Sequence, residues 1–213
     1  QKDGAKRYAG PVRIRNVRLF DPKAKALTDP RDVVVYGQKI AEVVPTGSVA
    51  TPGETTVDGA GGTLVPGLYE MHGHIGQEDA LLNVLAGVTS TRDMGNDDAV
   101  LDKLVARIEA GEVAGPRIVR SGFIEGKSPF SSMTGTLVST QAEAMDAVRK
   151  YAARGFWQAK LYNSMNPEWS APVTAEAHRL GLRVAGHVPA FSTADAMIAA
   201  GFDEITHVNQ LML

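Results

Sequence analysis

Apolar and polar residues alternate from Val12 to Leu19 (VRIRNVRL), the period-two pattern of a strand with one buried face. The stretch 32–45 reads DVVVYGQKIAEVVP, two β-rich runs around Tyr36-Gly37-Gln38-Lys39, and predicts a hairpin. Pro52-Gly53-Glu54 and Gly59-Ala60-Gly61-Gly62 bracket a further short strand at 55–57. A small β module over 12–63 therefore precedes the main domain, behind a polar and mobile N-terminus over 1–11. After Thr63 the rhythm changes. Strands are expected over 64–71, 88–92, 117–123, 156–162, 183–187 and 204–207. Helices are expected over 78–86, 97–110, 140–154, 172–180 and 193–200. Ser139-Thr140 and Ser192-Thr193 supply N-cap side chains, and Gly87, Gly155, Gly181 and Gly201 each follow a helical run directly. Strand and helix in alternation imply parallel strands joined by helical crossovers, over 64–213.

Length and composition narrow the class. A chain of 213 residues with 44% hydrophobic and 22% charged content falls in the soluble globular range. A net charge of −2 carries no polybasic field, so nucleic acid and anionic membranes are not expected partners. No apolar run approaches the ~18–20 residues needed to span a bilayer. Cysteine is absent, which excludes disulfides, thiolate ligands and a cysteine nucleophile. The chain begins at Gln1 rather than Met, and a cleaved signal peptide, with secretion or periplasmic residence, is one explanation. A homo-oligomer is expected.

The candidate chemistry sits at strand ends, where α/β proteins place their active residues. His72 and His74 are two apart, so on an extended strand both point to one face. They read either as paired ligands for a divalent metal or as turn histidines satisfied by backbone carbonyls. His187 and His207 also end strands, about one strand-plus-helix unit apart, and Lys160 ends the strand before His187. His178 lies mid-helix in AEAHRLG and reads as a surface residue. Lys160 on its own reads equally as a salt-bridging or snorkelling lysine. Tyr162, two residues on, is a candidate to polarise a carbonyl or simply to pack. Arg92 and Asp93 read as a structural ion pair or as substrate contacts. The loop over 125–135, rich in Gly and Ser, is a candidate cap.

Taken in order, PGLYEMHGHI, GVTSTRDMG, AKLYNS, VAGHVP and EITHVNQ resemble the amidohydrolase superfamily, in its prolidase-like and imidazolonepropionase-like branch. The likeness runs from about Val12 to Leu213. It implies an α/β fold: a (β/α)8 TIM-type barrel, six of whose eight strands are present, with a small N-terminal β-sandwich. It implies that His72 and His74 hold one metal ion, and that His187 and His207 hold a second. Lys160, as a CO2-derived carbamate, would bridge the two, most fittingly Zn2+. The resemblance then implies hydrolysis of an amide C–N bond, in a dipeptide or N-acyl amino acid, by hydroxide generated on the metals. An ester, lactone or cyclic amide is the alternative substrate, and a non-catalytic binding or assembly module the alternative role. The family's general acid/base is an Asp ending the eighth strand, which this chain does not reach. A further polypeptide segment completing the barrel is accordingly expected, to cover edges that would otherwise expose apolar surface.

Overall fold

The computed structural model describes residues 8–212; of the expected N-terminal arm, residues 1–7 lie outside the described residues. The chain divides into a unit up to Gly67 and a unit from Leu68 onward.

The first unit holds β1 (Val12–Asp21), β2 (Ala26–Leu27), β3 (Arg31–Tyr36), β4 (Lys39–Pro45), β5 (Thr55–Asp58) and β6 (Thr63–Leu64). They connect through β1 in the order β2-β1-β3-β4, with β5 and β6 each pairing with β1. One strand serves so many neighbours because its register slips between Ile14 and Val17, where Asn16 turns to a φ of 53°. Asp32 fastens that bulge, accepting from the Asn16 N–H at 3.0 Å and the Thr46 hydroxyl at 2.9 Å. Beside it the buried Arg13 is tied to Glu54 at 2.6 Å.

The second unit runs β7 (Leu68–Gly73), α1 (Gln77–Leu85), β8 (Val88–Asp93), α2 (Asp98–Glu109), β9 (Arg117–Gly126), β10 (Thr136–Val138) and α3 (Gln141–Ala153). It continues through β11 (Gln158–Leu161), α4 (Ser170–Arg179), β12 (Arg183–Gly186), α5 (Ala194–Ala199) and β13 (Glu204–Ile205). Its sheet is parallel in the order β13-β12-β11-β9-β8-β7, with β10 added on β9. Thr140 and Thr193 cap α3 and α5 by accepting from the N–H groups of Glu143 and Ala196, as their position in sequence implies. The helix-ending glycines Gly87, Gly155, Gly181 and Gly201 all adopt positive φ, between 71° and 95°. The main core lies between α3–α5 and one sheet face, with Val148, Tyr151, Ala159, Leu161, Val173, Val184 and Met197 at its centre.

The other face of the sheet curls on itself. Three strands separate β8 from β13, so flat pairing would hold them roughly 19 Å apart. Yet Arg92 on β8 makes a two-pronged ion pair with Glu204 on β13, each contact 2.6 Å. Only a sheet rolled into a partial barrel brings those side chains together.

The element boundaries differ from the sequence reading in instructive places. The strand expected over 64–71 is two pieces, since Pro66-Gly67 interrupts it: Thr63–Leu64 pairs with β1 and β7 starts at Leu68. The third barrel strand runs on to Gly126, because the unanticipated β10 pairs with its last residues. Glu125 and Gly126 are therefore strand, and the loop over 125–135 is shorter than read. The fourth to sixth barrel strands end earlier, at Leu161, Gly186 and Ile205. Tyr162, His187 and Thr206 still donate backbone N–H bonds to the neighbouring strand at 3.0–3.1 Å, so the residues just past each end remain fixed.

Candidate active site

Four histidines gather at one end of the curled sheet. His72 is on β7, His74 just beyond it, His187 directly after β12 and His207 two residues past β13. The ring centroids of His74 and His72 are 5.5 Å apart, those of His72 and His207 4.8 Å, and those of His207 and His187 4.5 Å. Five inter-strand spacings would put β7 roughly 24 Å from β13 in a flat sheet, so the curl alone makes this meeting possible.

Two rings are aimed by their Nδ1 atoms. His74 Nδ1 lies 2.6 Å from the Gly95 carbonyl oxygen, and His187 Nδ1 lies 2.6 Å from Asn163 Oδ1. An oxygen of either kind can only accept, so each Nδ1 carries a hydrogen, which in a neutral ring leaves the lone pair on Nε2. The acceptors are held in turn. Buried Asp93 accepts from the Gly95 N–H at 3.0 Å, from the Ile75 N–H at 2.8 Å and from Asn96 Nδ2 at 3.0 Å. Gly95 has a φ of 142°, and a Cβ there would stand 3.1 Å from the Phe123 ring, so this position takes glycine.

Lys160 is buried on β11, near enough for its charge to act on His72, His187 and His207, and its Nζ lies 5.8 Å from the Phe123 ring centre and 5.4 Å from that of Tyr162. No carboxylate pairs with it among the described residues; Asp93 acts on it through the field alone. Burial pushes its pKa down to about 8. Burial, with the Lys160 charge next, likewise lowers His72 to about 4 and His187 to about 3, and shifts His207 downward. These imidazoles are neutral near pH 7, the form in which histidine ligates. Among the described residues, no three His, Asp or Glu side chains are grouped as a metal ion would require. What fits a cation is the donor chemistry: four imidazoles, two of them held by an acceptor behind Nδ1, near a lysine that pairs with no carboxylate among the described residues.

The Tyr162 ring centre lies 4.1 Å from that of His187, tilted by 46°, and 4.9 Å from that of Phe123, edge to face. Arg92 and Asp93 do not pair with each other. The arginine reaches Glu204 and the Met71 carbonyl at 2.7 Å, while the aspartate serves backbone N–H groups. His178 lies away from the histidine group on the half-exposed face of α4, bonded to Asp203 at 2.9 Å. Sequence reasoning passed over Asn163, Glu125 and Glu204. Asn163 stood inside the quoted AKLYNS, but its partner is on another strand. Glu125 is fully buried, and burial raises its carboxyl pKa.

No family model matches the chain. It is 28% identical over 212 residues to an adenine deaminase of Chelativorans sp. (strain BNC1), covering 91% of this chain and 34% of that protein. Among solved structures, it superposes on a prolidase candidate from Bifidobacterium longum with a TM-score of 0.75 at 22% identity, over 92% of this chain and 54% of the other. A Xaa-Pro dipeptidase with methionine bound in its active site gives a TM-score of 0.72 at 22% identity, over 91% and 60%. An ochratoxinase of A. niger gives 0.66 at 19%, over 92% and 60%. The chain thus spans about a third of the curated relative and a little over half of these structures. The solved structures share this chain's fold, and it is the fold that the resemblance read from the five motifs implies.

Proposed function

We propose that the chain is part of a metal-dependent amidohydrolase that cleaves an amide C–N bond, in a dipeptide or N-acyl amino acid. The observation carrying this reading is the meeting of four imidazoles from the ends of β7, β12 and β13 near buried Lys160, which pairs with no carboxylate among the described residues. His72 and His74 would hold one divalent ion, and His187 and His207 a second; nitrogen donors favour zinc. The ions supply Lewis acidity and a water acidified towards neutral pH. Lys160, its ammonium already weakened by burial, gives up a proton to solvent. The free amine then adds to CO2, forming an N–C bond and releasing a second proton, so that an anionic carbamate replaces a buried cation. Tyr162, whose ring centre is 4.1 Å from that of His187, would donate its phenolic hydrogen to a substrate carbonyl. The proton for the leaving amine comes from an Asp supplied outside the described residues.

The partial barrel is completed by a further polypeptide segment. Leu68, Tyr69 and Met71 on the edge strand β7, with Leu82 and Leu85 on α1, are 50–73% exposed, a strip another strand and helix would cover. The six N-terminal strands form one part of a small β-sandwich. The whole protein assembles as a homo-oligomer.

Elemental analysis of the full-length protein tests the reading. About two divalent ions per barrel are expected, lost on His72→Ala or His187→Ala together with hydrolysis of Xaa-Pro dipeptides and N-acyl amino acids. Lys160→Ala loses activity, and short carboxylates restore part of it. Little bound metal, with activity indifferent to these substitutions, would overturn it. The likeness to an adenine deaminase favours a second reading, hydrolysis of an exocyclic aromatic amine at the same centre. Adenine in the same substrate panel separates the two.

A further inference from the structure

Asn163 sits where three loops meet. Its side-chain Oδ1 is 2.6 Å from His187 Nδ1, and its backbone oxygen accepts from the Ala190 N–H at 2.8 Å. The next residue is held from the opposite side. Ser164 donates its N–H to Glu125 Oε1 at 2.7 Å, and its hydroxyl receives that of Ser128 at 2.9 Å. Glu125 also accepts from the Ser132 N–H at 3.3 Å. The two segments approach so closely at this point that a Cβ on Gly126 would fall 1.8 Å from the Ser164 backbone carbonyl oxygen. The turn after β11 is thus gripped by the loop after β9 on one flank and by the loop after β12 on the other.

We propose that Asn163 is a positioning residue: clamped through Ser164 by Glu125 and Ser128, it holds the hydrogen of His187 on Nδ1 and turns Nε2 towards the other histidines. The inference rests on the reading of His187 as a metal ligand and adds what orients it. A neutral imidazole has one N–H and two nitrogens to put it on. Free imidazole side chains favour Nε2–H, which is the wrong form for ligation through Nε2. An acceptor fixed behind Nδ1 reverses that preference before any cation arrives. Partners of this kind typically change metal affinity 10–100-fold. Asn163 is an exposed residue, so removal of its side chain empties no core.

The test uses the full-length protein labelled with 15N-histidine and read by long-range 1H–15N correlation, with His187→Gln assigning the signal. In metal-free parent protein, His187 is expected as the Nδ1–H tautomer. Asn163→Ala moves it towards Nε2–H, and Asn163→Asp, which keeps the acceptor, leaves it on Nδ1. In chelator competition, Asn163→Ala weakens zinc binding about 10–100-fold and Asn163→Asp does so far less. An Nε2–H tautomer in the parent, or an unmoved tautomer in Asn163→Ala, overturns the proposal, and the parent spectrum decides even if that variant fails to fold. Parent protein that binds no zinc but shows the expected tautomers would remove the metal reading and leave the positioning of His187 supported.

Discussion

Lys160→Met is expected to stabilise the metal-free protein while abolishing whatever the site does. The lysine is 1% exposed, has no carboxylate partner among the described residues, and carries a charge that opposes the protonation of His72, His187 and His207. Its pKa falls from 10.5 to about 8. At ~1.36 kcal/mol for each pKa unit, holding the ammonium in the folded state costs about 3 kcal/mol near neutral pH. Methionine fills a similar volume without that charge, so the variant should gain about 2–3 kcal/mol at pH 7. The direction with pH follows from proton counting. Between about pH 8 and 10.5 the unfolded chain holds this proton and the folded chain does not, so the parent gains stability as pH rises through that window. Below it the cost is fully present; above it parent and variant should converge. Urea unfolding of both proteins in CO2-free, metal-free buffer, at pH 7 and at pH 10, measures this difference. A variant no more stable than the parent at pH 7, or an advantage that does not narrow towards pH 10, would refute the claim that a bare ammonium is buried here.

Three other substitutions probe the supports of the site. Asp93→Ala strips the acceptor from the buried N–H groups of Ile75 and Gly95 and should cost about 3–5 kcal/mol by urea unfolding, with faster amide exchange after β7; a cost under about 1 kcal/mol would show that water replaces the carboxylate. Gly95→Ala forces a side chain to a φ of 142° against the Phe123 ring, and should cost about 1–3 kcal/mol while weakening zinc binding through His74; unchanged binding would show that the Gly95 carbonyl does not aim that ring. Glu204→Gln leaves Arg92 buried with one acceptor instead of a carboxylate, and a loss of about 1–2 kcal/mol is expected, because Glu204 itself is a third exposed. The double change Arg92→Met with Glu204→Met should recover most of it, and failure to recover would mean the pair specifies the curl of the sheet as well as neutralising charge.

The residues that were legible are those whose placement depends on one strand alone. His72 and His74 share a face because side chains alternate along a strand, and Lys160, His187 and His207 stand where apolar runs stop. Those facts lie within a few residues of each histidine. Their anchors do not. His187 is aimed by Asn163, which lies one strand and one helix earlier, and Asn163 is gripped through its neighbour Ser164 by Glu125, earlier still. Arg92 was read beside Asp93, its sequence neighbour, yet its partner is Glu204, which reaches it only because the sheet rolls. Adjacent residues on a strand point to opposite faces, so an adjacent Arg-Asp pair was the arrangement least able to meet. The same reasoning bears on the length of β9. A run of side chains says where a strand can continue, but Glu125 and Gly126 are strand because β10 pairs with them. Ligand-type side chains are thus announced by local period, whereas the groups that fix their direction are set by which strands become neighbours. A sequence with the same histidines and a different residue at 163 would read as the same site, and its His187 would be free to carry its hydrogen on the nitrogen that a metal needs bare.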